Sequence, residues 1–192
     1  EPLSPIASMP GYYRMSLNQL KQEVITLYDL GIRAVLLFVK VPEHLKDNTG
    51  REALNPNGLM QQAIRLVKVH APEMIVMSDV ALDPYSAFGH DGIVEDSRIV
   101  NDKTITVLAQ MALSHAQAGA DIVAPSDMMD GRIAAIRQIL ESHQLHETGF
   151  LAYSAKYASA FYGPFRDDLD SAPGFGDKIT YQIIPAFRIV AW

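Results

Sequence analysis

Hydrophobic positions recur every three or four residues over 17–30, at Leu17, Leu20, Val24, Leu27 and Tyr28. That is the period of a helix with one apolar face. Ser16 stands where an N-cap belongs, and Gly31 stands where the helix stops. Over 32–39 the pattern becomes an unbroken apolar run rich in branched residues. Such a run is the mark of a strand buried on both faces. The alternation then repeats. A helix is predicted from Asn57-Gly58 to about His70, with Leu59, Ala63, Leu66 and Val67 on one face, and Met74 to Met77 is the next strand. A helix over 101–118 ends at Gly119, a strand covers 121–124, a helix covers 131–143 and a strand covers 148–153. Residues 156–161 read as a short helix, and the stretch beyond Gly163 reads as loop.

Strands alternating with helices predict a parallel sheet under helical cover. Two architectures fit that order: an open doubly wound sheet, or part of a (β/α)8 barrel. A closed barrel uses eight strands and about 250 residues. The clear strands here supply about four to five βα units, so the α/β barrel reading is of an incomplete barrel, a single partial domain over 1–192. No Gly-x-Gly-x-x-Gly turn follows a strand, which leaves a dinucleotide site without support. In both architectures functional residues gather just past the C-terminal ends of strands. Ser78-Asp79, Pro125-Ser126, the stretch from Tyr153 to Lys156 and the segment after Lys40 meet that condition.

Composition removes several classes of function. Apolar residues make up 48% and charged residues 20% of the chain, a balance that folds rather than stays disordered. A net charge of −6 argues against a nucleic-acid surface, which needs clustered Lys and Arg. The chain has no cysteine, so a disulfide framework and a thiolate metal site are excluded. No run reaches the roughly 18 apolar residues of a membrane helix. Glu1-Pro2-Leu3-Ser4-Pro5 has neither the basic nor the apolar part of a signal peptide. The expected location is the cytoplasm, or an organellar stroma in a plastid-bearing host.

Five places carry reactive groups. Lys156 lies three residues past a predicted strand, in Tyr153-Ser154-Ala155-Lys156-Tyr157-Ala158-Ser159. A lysine amine attacks carbonyls only when neutral, and apolar burial or a neighbouring cation favours that form. Arg166 and Lys178 are candidate cations; the plain alternative is a solvated lysine. Asp79 at a strand end suits an orienting or proton-shuttling carboxylate, or equally a turn former. Asp83, His90, Asp91 and Asp96 in one loop offer oxygen and imidazole ligands, which favour a hard ion over structural zinc; an ordinary polar loop is the alternative. Ser126 precedes a helix, where it serves an anion or simply caps. Arg166 suits a carboxylate clamp. His70, His115, His143 and His146 read as surface positions.

Taken together these segments resemble the porphobilinogen synthase (5-aminolevulinate dehydratase) family. The matching stretches are Ser8-Met9-Pro10-Gly11, the run from Met74 to Tyr85, Gly89-His90-Asp91-Gly92, the run from Gly119 to Gly131, the run from Tyr153 to Arg166, and Gly176 to Gln182. The resemblance implies a (β/α)8 barrel, usually octameric, that condenses two 5-aminolevulinate molecules into porphobilinogen through lysine Schiff bases. It puts Lys156 at the first Schiff-base lysine and Asp79 at an active-site aspartate. It puts Ser126, Tyr153 and Phe165 in the substrate pocket. Arg166, Lys178 and Gln182 fall in a lid over 163–182 that holds a substrate carboxylate. Ala81, Asp83 and Asp91 stand where one branch of the family has three zinc-binding cysteines. That implies magnesium or another hard divalent cation at Asp83 and Asp91, no cysteine-ligated zinc and no organic cofactor. The family's second Schiff-base lysine, in a Met-Val-Lys-Pro stretch, has no counterpart, and residues 183–192 depart from the pattern. A non-catalytic half-barrel that self-associates or binds a full-length synthase is therefore the alternative, with a single-lysine aldolase-like enzyme a weaker third.

Overall fold

The computed structural model describes residues 3–169, 173–174 and 176–184; the expected departing tail lies outside the described residues from 185 onward. A short antiparallel hairpin, β1 (Ser4–Pro5) and β2 (Tyr13–Arg14), leads into helix α1 (Leu17–Asp29). Ser16 opens α1 with a reciprocal cap: the Gln19 amide donates to the Ser16 hydroxyl, and the Gln19 side chain accepts from the Ser16 amide at 2.9 Å. Gly31 ends the segment at φ 95°, a value only glycine adopts without strain. Then follow β3 (Ala34–Leu37), α2 (Leu59–His70), β4 (Ile75–Val80), the small hairpin β5 (Val94–Glu95) and β6 (Arg98–Ile99), α3 (Asn101–Ala118), β7 (Ile122–Pro125), α4 (Arg132–Ser142), β8 (Gly149–Phe150) and α5 (Gly163–Leu169).

Strands β3, β4, β7 and β8 form one parallel sheet in that order. This is an arc of the α/β barrel type expected from the alternating pattern. Val76 and Val80 of β4 and Val123 of β7 meet Ile64 and Val67 of α2, Leu108, Met111 and Ala112 of α3, and Ile136 and Leu140 of α4 in the main core, all essentially without solvent contact. No helix among the described residues is long and apolar enough to cross a membrane.

Three local expectations are corrected. The apolar run at 32–39 is not buried on both faces. Ile32 is 44% exposed, Ala34 is exposed, and Val35 and Leu36 are half-buried, because β3 is an edge of the described sheet and pairs only with β4. Of residues 156–161 only the last two are helical, in a 3-10 turn over Ala160–Tyr162. Residues 156–158 are instead held extended by a bridge to Ile183, whose amide donates to the Lys156 carbonyl and whose carbonyl accepts the Ala158 amide, and tertiary pairing of that kind overrides a weak local preference. The helix starts instead at Gly163, inside the predicted loop, after the Ser159 hydroxyl accepts the Phe161 amide at 3.2 Å; Pro164 suits such a first turn. Finally His115 is fully buried rather than on the surface. Its Nδ1 lies 3.0 Å from the Ser78 hydroxyl, and burial pushes its pKa down to about 3.

Leu108→Ala leaves a hole between α3 and the sheet and is expected to cost about 2–5 kcal/mol. Ser16→Ala, which deletes one half of the cap, is expected to cost about 1 kcal/mol. Urea unfolding of the two variants beside the parent measures both.

Candidate active site

Side chains alternate across a strand, and β4 uses both faces. Ser78 turns toward α3, where it meets His115. Asp79 therefore turns to the opposite face of the sheet, at its C-terminal end. The register pairs Asp79 with Ala124, two residues before Ser126, and this puts the Ser126 hydroxyl in place to donate to Asp79 Oδ1 at 2.7 Å. The Ser126 carbonyl accepts from Lys156 Nζ at 2.9 Å. One residue of the loop after β7 thus touches both the carboxylate and the amine. Ser126 works through these contacts rather than as a helix-end anion site; Gly131 takes the N-cap position of α4.

A second layer of charge surrounds the amine. Lys178 Nζ donates to Asp91 Oδ1 at 2.6 Å and to Asp83 Oδ2 at 3.2 Å. Asp91 Oδ2 lies 3.6 Å from Lys156 Nζ and has no hydrogen-bond partner among the described residues. The Asp91 amide donates to the Tyr181 hydroxyl, which also sits 3.1 Å from His90 Nδ1. All of Asp79, Asp83, Asp91 and Lys178 are buried.

Burial sets the protonation of these groups. Loss of water, reinforced by Asp83, pushes the Asp79 carboxyl up to about 7, against the pull of the Ser126 hydrogen bond and Lys156. Burial by itself works to lower the pKa of Lys156. Asp91, Asp83 and Asp79 overcome it and hold the ammonium above its ordinary range. Lys178 is raised in the same way, burial opposing and Asp83 and Asp91 prevailing. The expected cations at Lys156 are thus outweighed: carboxylates, not Arg166 and Lys178, dominate its surroundings.

These groups line a cavity of about 420 Å³. Asp79, Ser126 and Lys156 meet Asp83 and Lys178 there, with Arg166 and Gln182 facing the same space. Phe38, Tyr153, Phe161, Tyr162, Phe165 and Leu169 supply the apolar walls. Phe38 packs edge-on to Phe165 at 5.1 Å between ring centroids, and Lys156 Nζ lies 5.7 Å from the Tyr162 ring centre. The buried Gln182 side-chain oxygen has no hydrogen-bond partner among the described residues. All eight catalytic and pocket residues read from the sequence (Lys156, Asp79, Ser126, Tyr153, Phe165, Arg166, Lys178 and Gln182) line this one cavity. Sequence reading missed Phe38, Tyr181 and Asp127. Phe38 follows the C-terminal end of β3, so the strand-end rule was a usable signal for it. Nothing local marked the other two.

Asp83 and Asp91 are brought together, but on an ammonium. Each gives an oxygen to Lys178, and among the described residues no three His, Cys, Asp or Glu side chains are grouped to hold a metal ion. As arranged, the pair does not fit a hard cation. A larger hollow nearby, of about 840 Å³, is lined by His90, Arg98, Asn101, Met128 and Tyr181 among others, and it contains no lysine amine.

Two expectations follow from the charges. Asp79 binds its proton more tightly folded than unfolded, so its contribution to stability falls as pH rises from the ordinary carboxylate range to about 7 and then levels off. Asp79→Asn should flatten that fall in urea unfolding measured between pH 4 and pH 8, chosen to bracket the window. Lys178→Met removes the ammonium that Asp83 and Asp91 share and is expected to cost about 3–5 kcal/mol, read from the same unfolding curves.

Comparison with known proteins matches a family profile described as delta-aminolevulinic acid dehydratase to residues 1–191. The chloroplastic delta-aminolevulinic acid dehydratase 1 of Arabidopsis thaliana is 54% identical over 185 residues, covering 95% of this chain and 43% of the relative. The enzyme of that name from Bradyrhizobium diazoefficiens is 51% identical over 179 residues, covering 93% and 51%. A crystal structure of the Toxoplasma gondii delta-aminolevulinic acid dehydratase with its reaction product porphobilinogen superposes with a TM-score of 0.97 at 49% identity, covering 100% of this chain and 55% of that one. The chain spans about half the length of the relatives it matches.

Proposed function

The chain belongs to the delta-aminolevulinic acid dehydratase family, and on that premise we propose that it acts in the condensation of two 5-aminolevulinate molecules to porphobilinogen, with Lys156 forming a Schiff base to one of them. The observation that carries the reading is the placement of the Lys156 amine, bonded to the Ser126 carbonyl, beside a buried carboxyl that titrates near neutrality. A keto acid entering the cavity has Arg166 and the Gln182 amide for its carboxylate and aromatic walls for its chain. Its own ammonium is drawn to Asp83 and Asp91. Partial neutralisation of those carboxylates weakens their hold on the Lys156 proton.

Once neutral, Lys156 Nζ adds to the ketone carbon and the carbonyl oxygen takes up a proton. The carbinolamine then loses water to leave a carbon–nitrogen double bond. Each of these steps moves a proton, and a carboxyl with a pKa of about 7 both gives and takes one at neutral pH. Ser126 holds Asp79 for that exchange. No step is routed through a metal ion, because Asp83 and Asp91 are engaged by Lys178. Assembly into an octamer and a stromal or cytoplasmic location, the former implied by the family resemblance and the latter in keeping with the chloroplastic plant relatives, complete the proposal.

The test is intact mass spectrometry and peptide mapping after 5-aminolevulinate and borohydride. A reduced adduct on Lys156 is expected, with none in Lys156→Met. Asp79→Asn is expected to slow adduct formation by about 10²–10⁴-fold, the usual range for losing a proton-transfer group. A folded chain that gives no adduct at Lys156 sinks the catalytic reading and favours a half-barrel that self-associates or binds a full-length synthase.

A further inference from the structure

Arg132 is the first residue of α4, and its side chain turns inward and is mostly buried. One terminal nitrogen donates to the Met129 carbonyl at 2.9 Å, the other to the Tyr153 carbonyl at 2.9 Å. Its Nε faces Asp127 Oδ2 at 3.4 Å. Asp127 is itself fully buried, and its other oxygen accepts the Met129 amide at 2.8 Å. Between these two anchored residues lies Met128, with φ of 72°. A non-glycine residue in that region is strained and persists only where its neighbours hold it there. The Met128 sulfur is 3.4 Å from the Lys156 backbone nitrogen, which donates to it.

The loop after β7 therefore touches Lys156 at both ends: the Met128 sulfur at its amide and the Ser126 carbonyl at its amine. The regular strand β8 has already ended at Phe150, and the last backbone bond from this segment to β7, Tyr153 to Pro125, is a long one at 3.3 Å. Arg132 bonds to the loop and to the lysine-bearing segment at once, at Tyr153, the residue where the bonding to β7 ends.

We infer that Arg132 is a positioning residue for Lys156: its guanidinium fork fixes the segment carrying the amine against the loop that receives it. This rests on the reading of Lys156 as the Schiff-base lysine. A lysine at 132 keeps the charge but not the planar fork, so it reaches one carbonyl and not both.

Arg132→Lys in the 192-residue chain tests it by two readouts. In hydrogen exchange without substrate, the Tyr153 and Lys156 amides are expected to exchange about tenfold faster than in the parent, as loss of one charged hydrogen bond implies, while the β4 amides are unchanged. In borohydride trapping with 5-aminolevulinate, the rate constant at saturation is expected to fall about tenfold with the half-saturating concentration nearly unchanged. A residue that only supports the fold lowers the amount of trappable protein and leaves the rate constant of the remainder as it was. Parental exchange at Tyr153 and Lys156 overturns the inference, and so does faster exchange with an unchanged trapping rate. If Arg132→Lys does not fold, Asp127→Asn carries the same test: it keeps an acceptor for Met129, loses the charge facing Arg132, and is expected to move both readouts the same way. If the parent itself forms no adduct, the proposed function falls and the exchange readout alone decides Arg132.

Discussion

Lys178 holds two buried aspartates, Asp83 and Asp91, on one ammonium, and the site is built around that constraint. Charges taken out of water are tolerable only when paired and hydrogen-bonded. Asp83 and Asp91 come from the loop after β4, and Lys178 comes from a segment nearly a hundred positions later. Their pairing closes that later segment over the end of the sheet and brings Gln182 with it. Tyr181, beside Lys178 in the chain, reaches the Asp91 backbone and His90, so the same contact also secures the loop. The mouth of the cavity is thus held by electrostatics, while the sheet below is held by apolar packing.

The cost of the arrangement falls on Lys156. Three carboxylates near a buried amine favour its proton, the opposite of what nucleophilic attack needs. The resting site is thus charge-balanced rather than primed. Asp79 occupies the other side of the same balance. It is buried beside Asp83, keeps its proton to about pH 7, and is held by the serine that also receives the amine. Asp79 and Lys156 are tuned by one set of neighbours.

Position is supplied by a different device. Lys156 lies in an extended stretch beyond the sheet, where a single bridge to Ile183 stands in for a regular ladder and leaves the side chain to be placed by other contacts. The loop after β7 takes that role through Ser126, the strained Met128 and the Asp127–Arg132 pair. A buried polar network whose members are bonded to backbone is stiff.

The sequence by itself determined the order of strands and helices, the caps at Ser16 and Gly119, the parallel sheet and the strand-end positions of Asp79, Ser126 and Lys156. These follow from the spacing of apolar residues and from turn chemistry, which are local in the chain. The motif order further identified the family, and the residues it singled out for the pocket line one cavity. Only the tertiary structure decided that the chain at Lys156 is extended, with helical turns starting at Ala160, and that His115 is buried. It also decided that Asp83 and Asp91 share one ammonium, and that carboxylates rather than cations govern Lys156. Each of these depends on groups far apart in sequence meeting where water is excluded. Burial and long-range pairing set pKa values and override weak helix preference, and neither leaves a periodic trace in the chain.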